Sequence, residues 1–306
     1  MKYRTLGKTG LNVSVIGIGT WQFGGEWGRS FSQSEAGRLL GKSKDLGINL
    51  IDTAECYGDH LSESLVGEAI RGDRESWFVA TKFGHKFHNN FERTDRWGPS
   101  EVVAQLDASL KALKTDYIDL YQFHSGGDEV FDNDELWGAL NEQVEAGKIR
   151  HLGISIGSND NLHQTAKADQ VGAGAVQVVY NRLDRAPEER VFPSCLAQNL
   201  GVLARVPLAS GYLSGKYKPG SVFDNQNDVR SREDAAAREK KLEQAQQIQQ
   251  DEVPDGVDMA TWALAWCLQH DAVSCVIPGC KTVEQVEANA RAADLDIVRD
   301  HPQVRS

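Results

Sequence analysis

The segment NLIDTAECYGDH, residues 49–60, begins with an apolar run and continues into a polar loop after Asp52. The same arrangement recurs in FVATKFG at 78–84 and in YIDLYQFHSGG at 117–127. Nearly continuous apolar runs that are rich in β-branched residues are typical of parallel strands buried on both faces. The three segments therefore predict neighbouring parallel strands, each ending in polar side chains.

Short apolar runs of this kind recur along the whole chain, and amphipathic segments separate them. The predicted strands are 15–18, 49–52, 77–81, 117–123, 151–155, 176–180, 201–206 and 274–278, and the predicted helices include 33–46, 63–71, 101–113, 135–146 and 161–168. Eight strands alternating with helices predict an α/β fold, a closed (β/α)8 TIM barrel. Residues 3–6 and 11–14, joined by GKTG, predict a β-hairpin ahead of the first barrel strand. One such barrel accounts for the whole length, so we expect a single domain over residues 1–306.

The composition is acidic, with 44 Asp and Glu against 33 Lys and Arg and a net charge of −11. Because no run of basic residues occurs, we expect neither nucleic acid nor an anionic membrane surface as a partner. The N-terminal segment lacks the apolar stretch of a secretion signal, and no later segment approaches a membrane span, so we expect a cytoplasmic protein. The five cysteines form no CxxC pair, and His85, His88 and His163 lack metal-binding spacing, so we expect no disulfide framework and no metal site. The sequence does not set the oligomeric state.

Four polar residues follow consecutive predicted strands: Asp52, Tyr57, Lys82 and His124. Barrel strand ends converge on one rim, so these side chains are expected to lie together. A carbonyl that accepts hydride develops negative charge on its oxygen, and tyrosine can donate the required proton. The Lys82 ammonium would ease proton release, Asp52 would hold Lys82 charged, and His124 would donate a hydrogen bond to the carbonyl oxygen. Singly, such an aspartate is often a helix cap and such a histidine is usually structural, but the coincidence of all four favours catalysis.

The motifs DTAECYG, ATKFG and YIDLYQFH resemble, in that order, those of the aldo-keto reductases, and the resemblance extends over nearly the whole chain. It implies that Tyr57 is the general acid/base and that Asp52, Lys82 and His124 complete a catalytic tetrad. The implied reaction is NADPH-dependent reduction of a small aldehyde or ketone by direct hydride transfer, without a metal. Arg205, where many relatives carry an aromatic residue, is typical of one subgroup, and the chain is most similar to bacterial members of the sugar and general-stress type.

The resemblance also implies a set of cofactor-binding residues. They are Gly19, Thr20, Ser155, Gln177, Arg205, Pro207, Leu208, Gly279, Lys281, Gln285 and Asn289. Ser155 and Gln177 would hold the nicotinamide amide, although Ile156 replaces the asparagine that often follows that serine. Lys281 would face the 2′-phosphate, which favours NADP, whereas Gln285 stands where relatives often carry arginine and leaves NAD as the alternative. No GxGxxG motif follows the first strand, so no Rossmann domain is expected.

Three aromatic residues, Trp21, Trp27 and Phe83, are expected to line the substrate pocket, although a structural role at the barrel rim is an equal alternative. The family usually carries a bulky aromatic residue after the catalytic histidine, but here SGG at 125–127 follows His124. We therefore expect an open, polar pocket suited to a sugar, a polyol or a small aldose.

Two alternative functions stay open from the sequence. One is a sugar or polyol dehydrogenase of the same fold. The other is a non-catalytic, nicotinamide-sensing regulatory subunit, because the potassium-channel β subunits resemble this fold and retain the same four residue types. The long loop around 221–230 would be a lid if Phe223 or Arg230 were ordered over the cofactor pyrophosphate.

Overall fold

The computed structural model describes residues 1–296. Its strands are β1 (Tyr3–Thr5), β2 (Asn12–Ser14), β3 (Ile18–Gly19), β4 (Leu50–Asp52), β5 (Phe78–Phe83), β6 (His85–Asn89), β7 (Glu92–Asp95), β8 (Ile118–His124), β9 (Ile149–Ser155), β10 (Ala173–Val179), β11 (Gly201–Arg205) and β12 (Cys275–Val276). Its helices are α1 (Gln33–Asp45), α2 (Leu61–Ala69), α3 (Pro99–Leu113), α4 (Asp128–Phe131), α5 (Asp134–Glu145), α6 (Leu162–Ala166), α7 (Val191–Ala197), α8 (Ala235–Asp251), α9 (Met259–Leu268) and α10 (Val283–Arg291). Short 3-10 segments lie at Trp21–Gly24, Arg74–Ser76, Ala186–Glu188, Ala209–Ser214 and Val229–Arg232. Residues 297–306, which the expected single domain includes, lie outside the described residues.

A closed parallel barrel is the centre of the fold. Eight strands pair in the order β3, β4, β5, β8, β9, β10, β11 and β12. The backbone N–H groups of Gly17 and Gly19 donate to the carbonyl oxygens of Val276 and Pro278 at 2.8 and 3.0 Å, so the first and last strands meet. Helices from neighbouring units contact one another, including α1 with α2, α2 with α3 and α10 with α1. The predicted α/β barrel is confirmed, and no helix among residues 1–296 is long and apolar enough to cross a membrane.

The opening strands β1 and β2 pair antiparallel, which is consistent with the expected hairpin. Leu6 and Val13 are completely buried and join an apolar cluster with Leu50, Leu120 and Leu203. Since those three leucines come from separate barrel strands, the hairpin closes the end of the barrel at which the strands begin. The polar loops lie at the opposite rim, where the strands end.

A second antiparallel pair, β6 with β7, was not predicted. Its strands follow β5 directly and carry mostly polar, partly exposed residues, so they lack the apolar periodicity by which a strand is identified in sequence. Phe91 joins them with a φ of 70°. This pair stands at the rim of the barrel and, as described below, contacts the predicted substrate side of the site.

Candidate active site

The strand register places four polar side chains on the inner face of the barrel rim. Asp52 ends β4 beside Ala80 of β5, and Lys82 lies two residues further along β5, beside Gln122 of β8. Residues two apart in a strand point to the same face, so His124, two residues after Gln122, joins this set. Asp52, Lys82 and His124 therefore lie together at the rim, at the ends of three neighbouring strands.

Lys82 is the centre of the group and has no exposed surface. Its Nζ donates to Asp52 Oδ1 at 2.7 Å, to the Thr53 carbonyl oxygen at 2.7 Å and to the Tyr57 hydroxyl oxygen at 3.2 Å. These acceptors account for all three ammonium protons. Tyr57, in the loop after β4, keeps part of its surface at the rim, and its ring centroid lies 6.3 Å from that of His124.

The second carboxylate oxygen of Asp52 also accepts hydrogen bonds. Gln177 Nε2 donates to Asp52 Oδ2 at 2.7 Å, and Gln122 Nε2 donates to the same oxygen at 3.2 Å. The Gln177 side chain, predicted to contact the nicotinamide amide, here supports the carboxylate that faces Lys82. The structure also identifies Gln122, which the sequence motifs did not single out, as a further partner of this carboxylate.

His124 is the fourth member, and its two ring nitrogens have different surroundings. Its Nδ1 lies 3.7 Å from Cys56 Sγ, which leaves Nε2 on the opposite edge of the ring. Burial, followed by the positive charge of Lys82, holds the pKa of His124 well below its ordinary value. The imidazole is therefore neutral at physiological pH and can donate one hydrogen bond. His85 packs beside it, and His85 Nε2 lies 2.8 Å from the His124 carbonyl oxygen.

The pKa of Tyr57 is set by two opposing effects. Burial raises the pKa of Tyr57 to about 12, and the opposing effect of Lys82 is smaller. Burial alone would lower the pKa of Lys82, but the charges of Asp52 and Tyr57 outweigh burial and the Lys82 pKa is raised. The phenol is therefore held protonated near pH 7, as a proton donor requires, rather than brought near ionisation.

Trp21 covers Tyr57 at the rim, with ring centroids 6.1 Å apart and planes 27° from parallel. Trp27 packs edge-on against Trp21 with its centroid 5.1 Å away. Trp21 is fixed by a hydrogen bond from its Nε1 to the fully buried carboxylate of Glu26, which also forms an ion pair with Arg93 of β7. Glu26 and Arg93 were missed by sequence reasoning because nothing in the local pattern links them to Trp21.

Phe83, the third predicted pocket residue, is completely buried. Its ring lies 4.8 Å from that of Tyr121 and 6.1 Å from those of Trp97 and Phe123. Phe83 therefore belongs to an aromatic core below the rim. This position agrees with the structural role and not with a role in lining the pocket. Its side chain supports the rim from below instead of facing a ligand.

The predicted nicotinamide side contains buried polar atoms that lack hydrogen-bond partners within residues 1–296. Among the described residues, neither Ser155 Oγ nor Arg205 Nε has a hydrogen-bond partner, although both atoms are buried. Arg205 Nη2 donates to the carbonyl oxygen of Ile156 at 3.3 Å. Unpaired buried polar groups are costly, so a polar ligand at this position fits the side chains present. A nicotinamide carboxamide supplies both a donor and an acceptor.

Several other predicted cofactor residues are engaged in the scaffold. Thr20 is buried, and its hydroxyl donates to the Asp52 carbonyl oxygen at 3.0 Å. Gly19 pairs with Gly279 across the closing edge of the barrel, and a Cβ at Gly19 would lie 2.8 Å from the Ile277 carbonyl oxygen. Pro207 is buried and Leu208 is half-buried in the turn after β11.

The predicted 2′-phosphate side carries several cations. Lys281 is half-buried, and its Nζ donates to the Trp27 carbonyl oxygen at 2.9 Å. Arg29, which was not predicted, donates to the Lys281 carbonyl oxygen at 3.4 Å. Gln285 Oε1 accepts from the Lys281 backbone N–H at 2.7 Å, and buried Asn289 donates to Cys280 Sγ at 3.1 Å. Burial and the neighbouring charges of Arg230, Lys216 and Arg29 lower the pKa of Lys281, a repulsion that an anion would relieve.

The long loop after β11 is ordered across this side of the rim. Arg230 is buried and forms a two-point ion pair with Asp228, with Nη2 to Oδ2 at 2.7 Å and Nε to Oδ1 at 2.9 Å. Its guanidinium lies 4.1 Å from the centroid of the Phe223 ring. The loop pairs with residues 26–28, since Val229 N–H donates to the Glu26 carbonyl oxygen at 3.0 Å.

Comparisons with known proteins agree with this architecture. The sequence profile of the Aldo/keto reductase family matches residues 15–302. The uncharacterized oxidoreductase YqkF of Bacillus subtilis is 33% identical over 96% of this chain and 92% of its own length. The Schizosaccharomyces pombe aldo-keto reductase yakc, whose name specifies NADP(+), is 32% identical over 93% of this chain and 85% of its own length. A probable voltage-gated potassium channel subunit beta of Arabidopsis thaliana is 31% identical over 96% of this chain and 92% of its own length.

Among solved structures, the holo form of aldo-keto reductase AKR11C1 from Bacillus halodurans superimposes with a TM-score of 0.83. It is 30% identical and covers 99% of this chain and 94% of its own. The family profile and these relatives extend over nearly the whole sequence, from the first barrel strand to the last helix. The chain therefore belongs to the aldo/keto reductase family and is an NAD(P)H-dependent oxidoreductase.

Proposed function

We propose that this protein reduces a small aldehyde or ketone with NADPH by direct hydride transfer, with Tyr57 as the general acid. The observation that supports this most strongly is the hydrogen bond from Lys82 Nζ to the Tyr57 hydroxyl, made by an ammonium that Asp52 holds from the other side. When bound, the cofactor supplies the hydride that reaches the carbonyl carbon. The protein supplies the proton and the hydrogen bonds that stabilise the developing charge on oxygen.

The proton step follows from the protonation states of the rim. Tyr57 is protonated near neutral pH, so it can donate its proton to the carbonyl oxygen as negative charge develops there. Lys82, which is buried and charged, stabilises the resulting phenolate through the hydrogen bond already formed to Tyr57. Neutral His124 donates from Nε2 to the same oxygen when its Nδ1 faces Cys56 as acceptor. In the reverse direction the phenolate would accept the proton of an alcohol.

The proposed cofactor is NADP, with NAD as the alternative. Lys281 and Arg29 lie together where the family resemblance puts the 2′-phosphate, and a dianion there would gain charge-assisted hydrogen bonds. Ser155 and Arg205 would hold the nicotinamide end through the buried atoms that have no partner among residues 1–296. Gln177 Nε2 already donates to Asp52 and to Gln122, so Gln177 would contact the cofactor through its Oε1.

The proposed substrate is small and polar, such as a sugar, a polyol-derived carbonyl or a small aldose. Trp21 gives the pocket one flat aromatic wall, which suits the apolar face of a small carbohydrate. His124 and Arg93 supply hydrogen-bond donors nearby, and Arg93 Nε is a buried donor without a partner among the described residues. Oxidation of a sugar or polyol is the same chemistry run in reverse.

We further propose that residues 221–230 act as a lid over the cofactor. The loop is anchored by its pairing with residues 26–28, beside Lys281, and the Asp228–Arg230 ion pair braces it internally. A loop held by a few polar contacts can open without disturbing the barrel. This arrangement would make cofactor release depend on breaking those contacts.

The experiment that tests the function is a rate measurement with purified protein, NADPH or NADH, and a panel of small aldehydes, ketones and hydroxylated aldoses. We expect NADPH oxidation with a higher kcat/KM than NADH oxidation, and better turnover of hydroxylated than of purely apolar carbonyls. Negligible turnover across the panel together with tight retention of NADPH would contradict the reductase proposal and indicate a nicotinamide-sensing subunit.

A further inference from the structure

Three potential metal ligands, one of them His124, lie together at the rim. Glu55 and Cys56 belong to the loop after β4, directly before Tyr57, and His124 ends β8. One carboxylate oxygen of Glu55, the thiol sulfur of Cys56 and one ring nitrogen of His124 all lie within 4.8 Å of one another. Sequence spacing did not predict this group because its members come from two segments almost 70 residues apart, as the separation of Cys56 and His124 shows.

The geometry of the pair Cys56 and His124 already matches a metal site. Their Sγ and Nδ1 atoms are 3.7 Å apart. Tetrahedral zinc with Zn–S of about 2.3 Å and Zn–N of about 2.0–2.1 Å separates a sulfur and a nitrogen ligand by about 3.6 Å. The separation of these two atoms is therefore already that of two ligands on one zinc ion.

Glu55 supplies a third donor that the protein leaves unused. Its Oε1 accepts from the His85 backbone N–H at 3.0 Å, but buried Oε2 has no hydrogen-bond partner among the described residues. The nearby carboxylate of Glu63 is not free in the same way, since its oxygens are bonded to Thr81 and His60. Glu55 therefore has an unpaired, buried carboxylate oxygen in the same side chain that brings one oxygen within 4.8 Å of the thiol and the imidazole, and a cation there would give it a partner.

We propose that Glu55, Cys56 and His124 bind a zinc ion, and that zinc bound there inhibits the enzyme. The ligand set is one carboxylate, one thiolate and one neutral imidazole, which are donors that zinc accepts, and three protein ligands leave a fourth position open. Glu55 and Cys56 give up any protons they carry when the ion binds, so two negative ligand charges neutralise the dication. In this proposal zinc regulates the enzyme and takes no part in hydride transfer.

The charges around the group are mixed. Arg93 and Lys82 contribute positive charge, and Glu63 and Glu26 contribute negative charge. Burial lowers the pKa of His85, so that imidazole is neutral near pH 7. His124 is only partly buried, so the rim gives an approach for the ion. Once bound, zinc would fix the His124 ring through Nδ1 and place a cation beside the residue that orients the substrate. Ser155, a proposed nicotinamide contact, is the register partner of His124, so zinc bound there lies beside both the substrate and the cofactor, and we expect it to lower turnover.

The test measures zinc binding first, because binding does not depend on the proposed function. Wild-type protein, Cys56→Ser and Glu55→Gln are dialysed to equilibrium against Zn²⁺ after treatment with a chelator, and Co²⁺ is added separately to detect a thiolate-to-cobalt charge-transfer band. Cys195→Ser, a change of another buried cysteine on α7, is the matched control. We expect one zinc per wild-type and control chain, and affinity at least about tenfold weaker in Cys56→Ser and Glu55→Gln. The cobalt band should be absent from Cys56→Ser.

Inhibition is then measured against each variant's own zinc-free rate. We expect zinc to inhibit wild type and Cys195→Ser, and to require at least about tenfold more zinc in Cys56→Ser. Equal zinc affinity in wild type and Cys56→Ser, or no stoichiometric zinc in wild type, would overturn the site. Stoichiometric binding with full activity would overturn the inhibitory role. If the protein proves inactive with every carbonyl, the dialysis and cobalt measurements still decide whether the site exists.

Discussion

At the scale of single residues, the buried charge of Lys82 is the feature on which the site depends. Lys82 has no exposed surface, and Asp52 is its one ion-pair partner among residues 1–296. Removing one member of a buried ion pair leaves an uncompensated charge, which typically costs about 3–5 kcal/mol. We expect Asp52→Asn to lower the free energy of unfolding by about that amount, measured by urea denaturation.

Asp107→Asn is the control for that measurement. Asp107 pairs with Lys148 at 2.7 Å, but both side chains are well exposed to solvent, so this change should cost less than about 1 kcal/mol. Equal losses of unfolding free energy in the two variants would contradict the assignment of a desolvated, electrostatically coupled pair at the centre of the site.

The pH dependence of the reaction follows from Tyr57. Its pKa is raised to about 12 and that of His124 is held well below its ordinary value, so neither group changes charge between about pH 6 and 9. A general acid acts in its protonated form, so kcat/KM for reduction should be flat over this range and fall only as the pH approaches that pKa. Oxidation needs the phenolate, so its rate should rise with pH by about tenfold per unit over the same range. Burial raises the pKa of Glu55 to about 8, so the profiles are measured in Glu55→Gln with a chelator present. A fall in the reduction rate between pH 6 and 8 in that variant would contradict Tyr57 as the proton donor.

The meeting of Asp52, Tyr57, Lys82 and His124 was predictable from sequence because each follows an apolar strand whose end must lie on the rim. The partners of those residues were not. Gln122 looks like an ordinary polar residue in a strand, and Glu26 holds Trp21 through a contact that only the folded loops create. For Phe83 an aromatic type near the rim left a pocket role and a structural role equally open, and alternation along β5 turns its side chain away from that of Lys82, into the aromatic core.

At the scale of elements, the existence of all eight barrel strands was predictable, but their first and last residues were predicted less accurately. Two-sided burial gives a strong apolar signal in β5, β8 and β10, whereas β3 and β12 contain only two paired residues each. The β6–β7 pair left no such signal, because one face of it is exposed and its stability comes from contacts such as the Arg93–Glu26 ion pair. Tertiary contacts of that kind have no local pattern in the sequence.

The packing of α2 against α3 gives a prediction at this scale. A Cβ added at Gly67 of α2 would lie 2.5 Å from the backbone carbonyl carbon of Leu113 at the end of α3, so the two helices can approach only because position 67 has no side chain. We expect Gly67→Ala to destabilise the protein by about 1–3 kcal/mol, measured as the free energy of unfolding.

Gly138 of α5 is the matched helical control. A Cβ there would meet no atom within 4 Å, so Gly138→Ala should stabilise the protein by about 0.5–1 kcal/mol through helix propensity alone. If both alanine variants were stabilising, the close approach of α2 and α3 described here would be wrong.

At the scale of the whole molecule, the loop after β11 joins two parts of the rim that are almost 200 residues apart in sequence. Asn225 Nδ2 donates to the Gly28 carbonyl oxygen at 3.0 Å, and Asp228 pairs with Arg230 inside the same loop. The sequence indicated a long functional loop at this place, but it could not indicate the segment that the loop contacts. That partner depends on the closure of the barrel, which brings the loops after β3 and β11 together.

The proposed lid predicts an effect on cofactor release. Asp228→Ala leaves Arg230 without its ion-pair partner and loosens the loop, so NADPH should dissociate at least about tenfold faster, equivalent to about 1.4 kcal/mol. Dissociation is followed by stopped-flow tryptophan fluorescence. Asp224→Ala changes an exposed carboxylate of the same loop and serves as the control, for which little change is expected. An unchanged rate of NADPH dissociation in Asp228→Ala would contradict the proposed lid.

The most direct test of the central claim is the rate of hydride transfer in Tyr57→Phe. The substitution removes only the hydroxyl that receives the hydrogen bond from Lys82 and leaves the ring against Trp21. In a single-turnover experiment with bound NADPH and a saturating carbonyl substrate, we expect the rate to fall by about 10²–10⁴ while NADPH affinity stays within about threefold. A rate in Tyr57→Phe close to that of the wild type would contradict the assignment of Tyr57 as the proton donor.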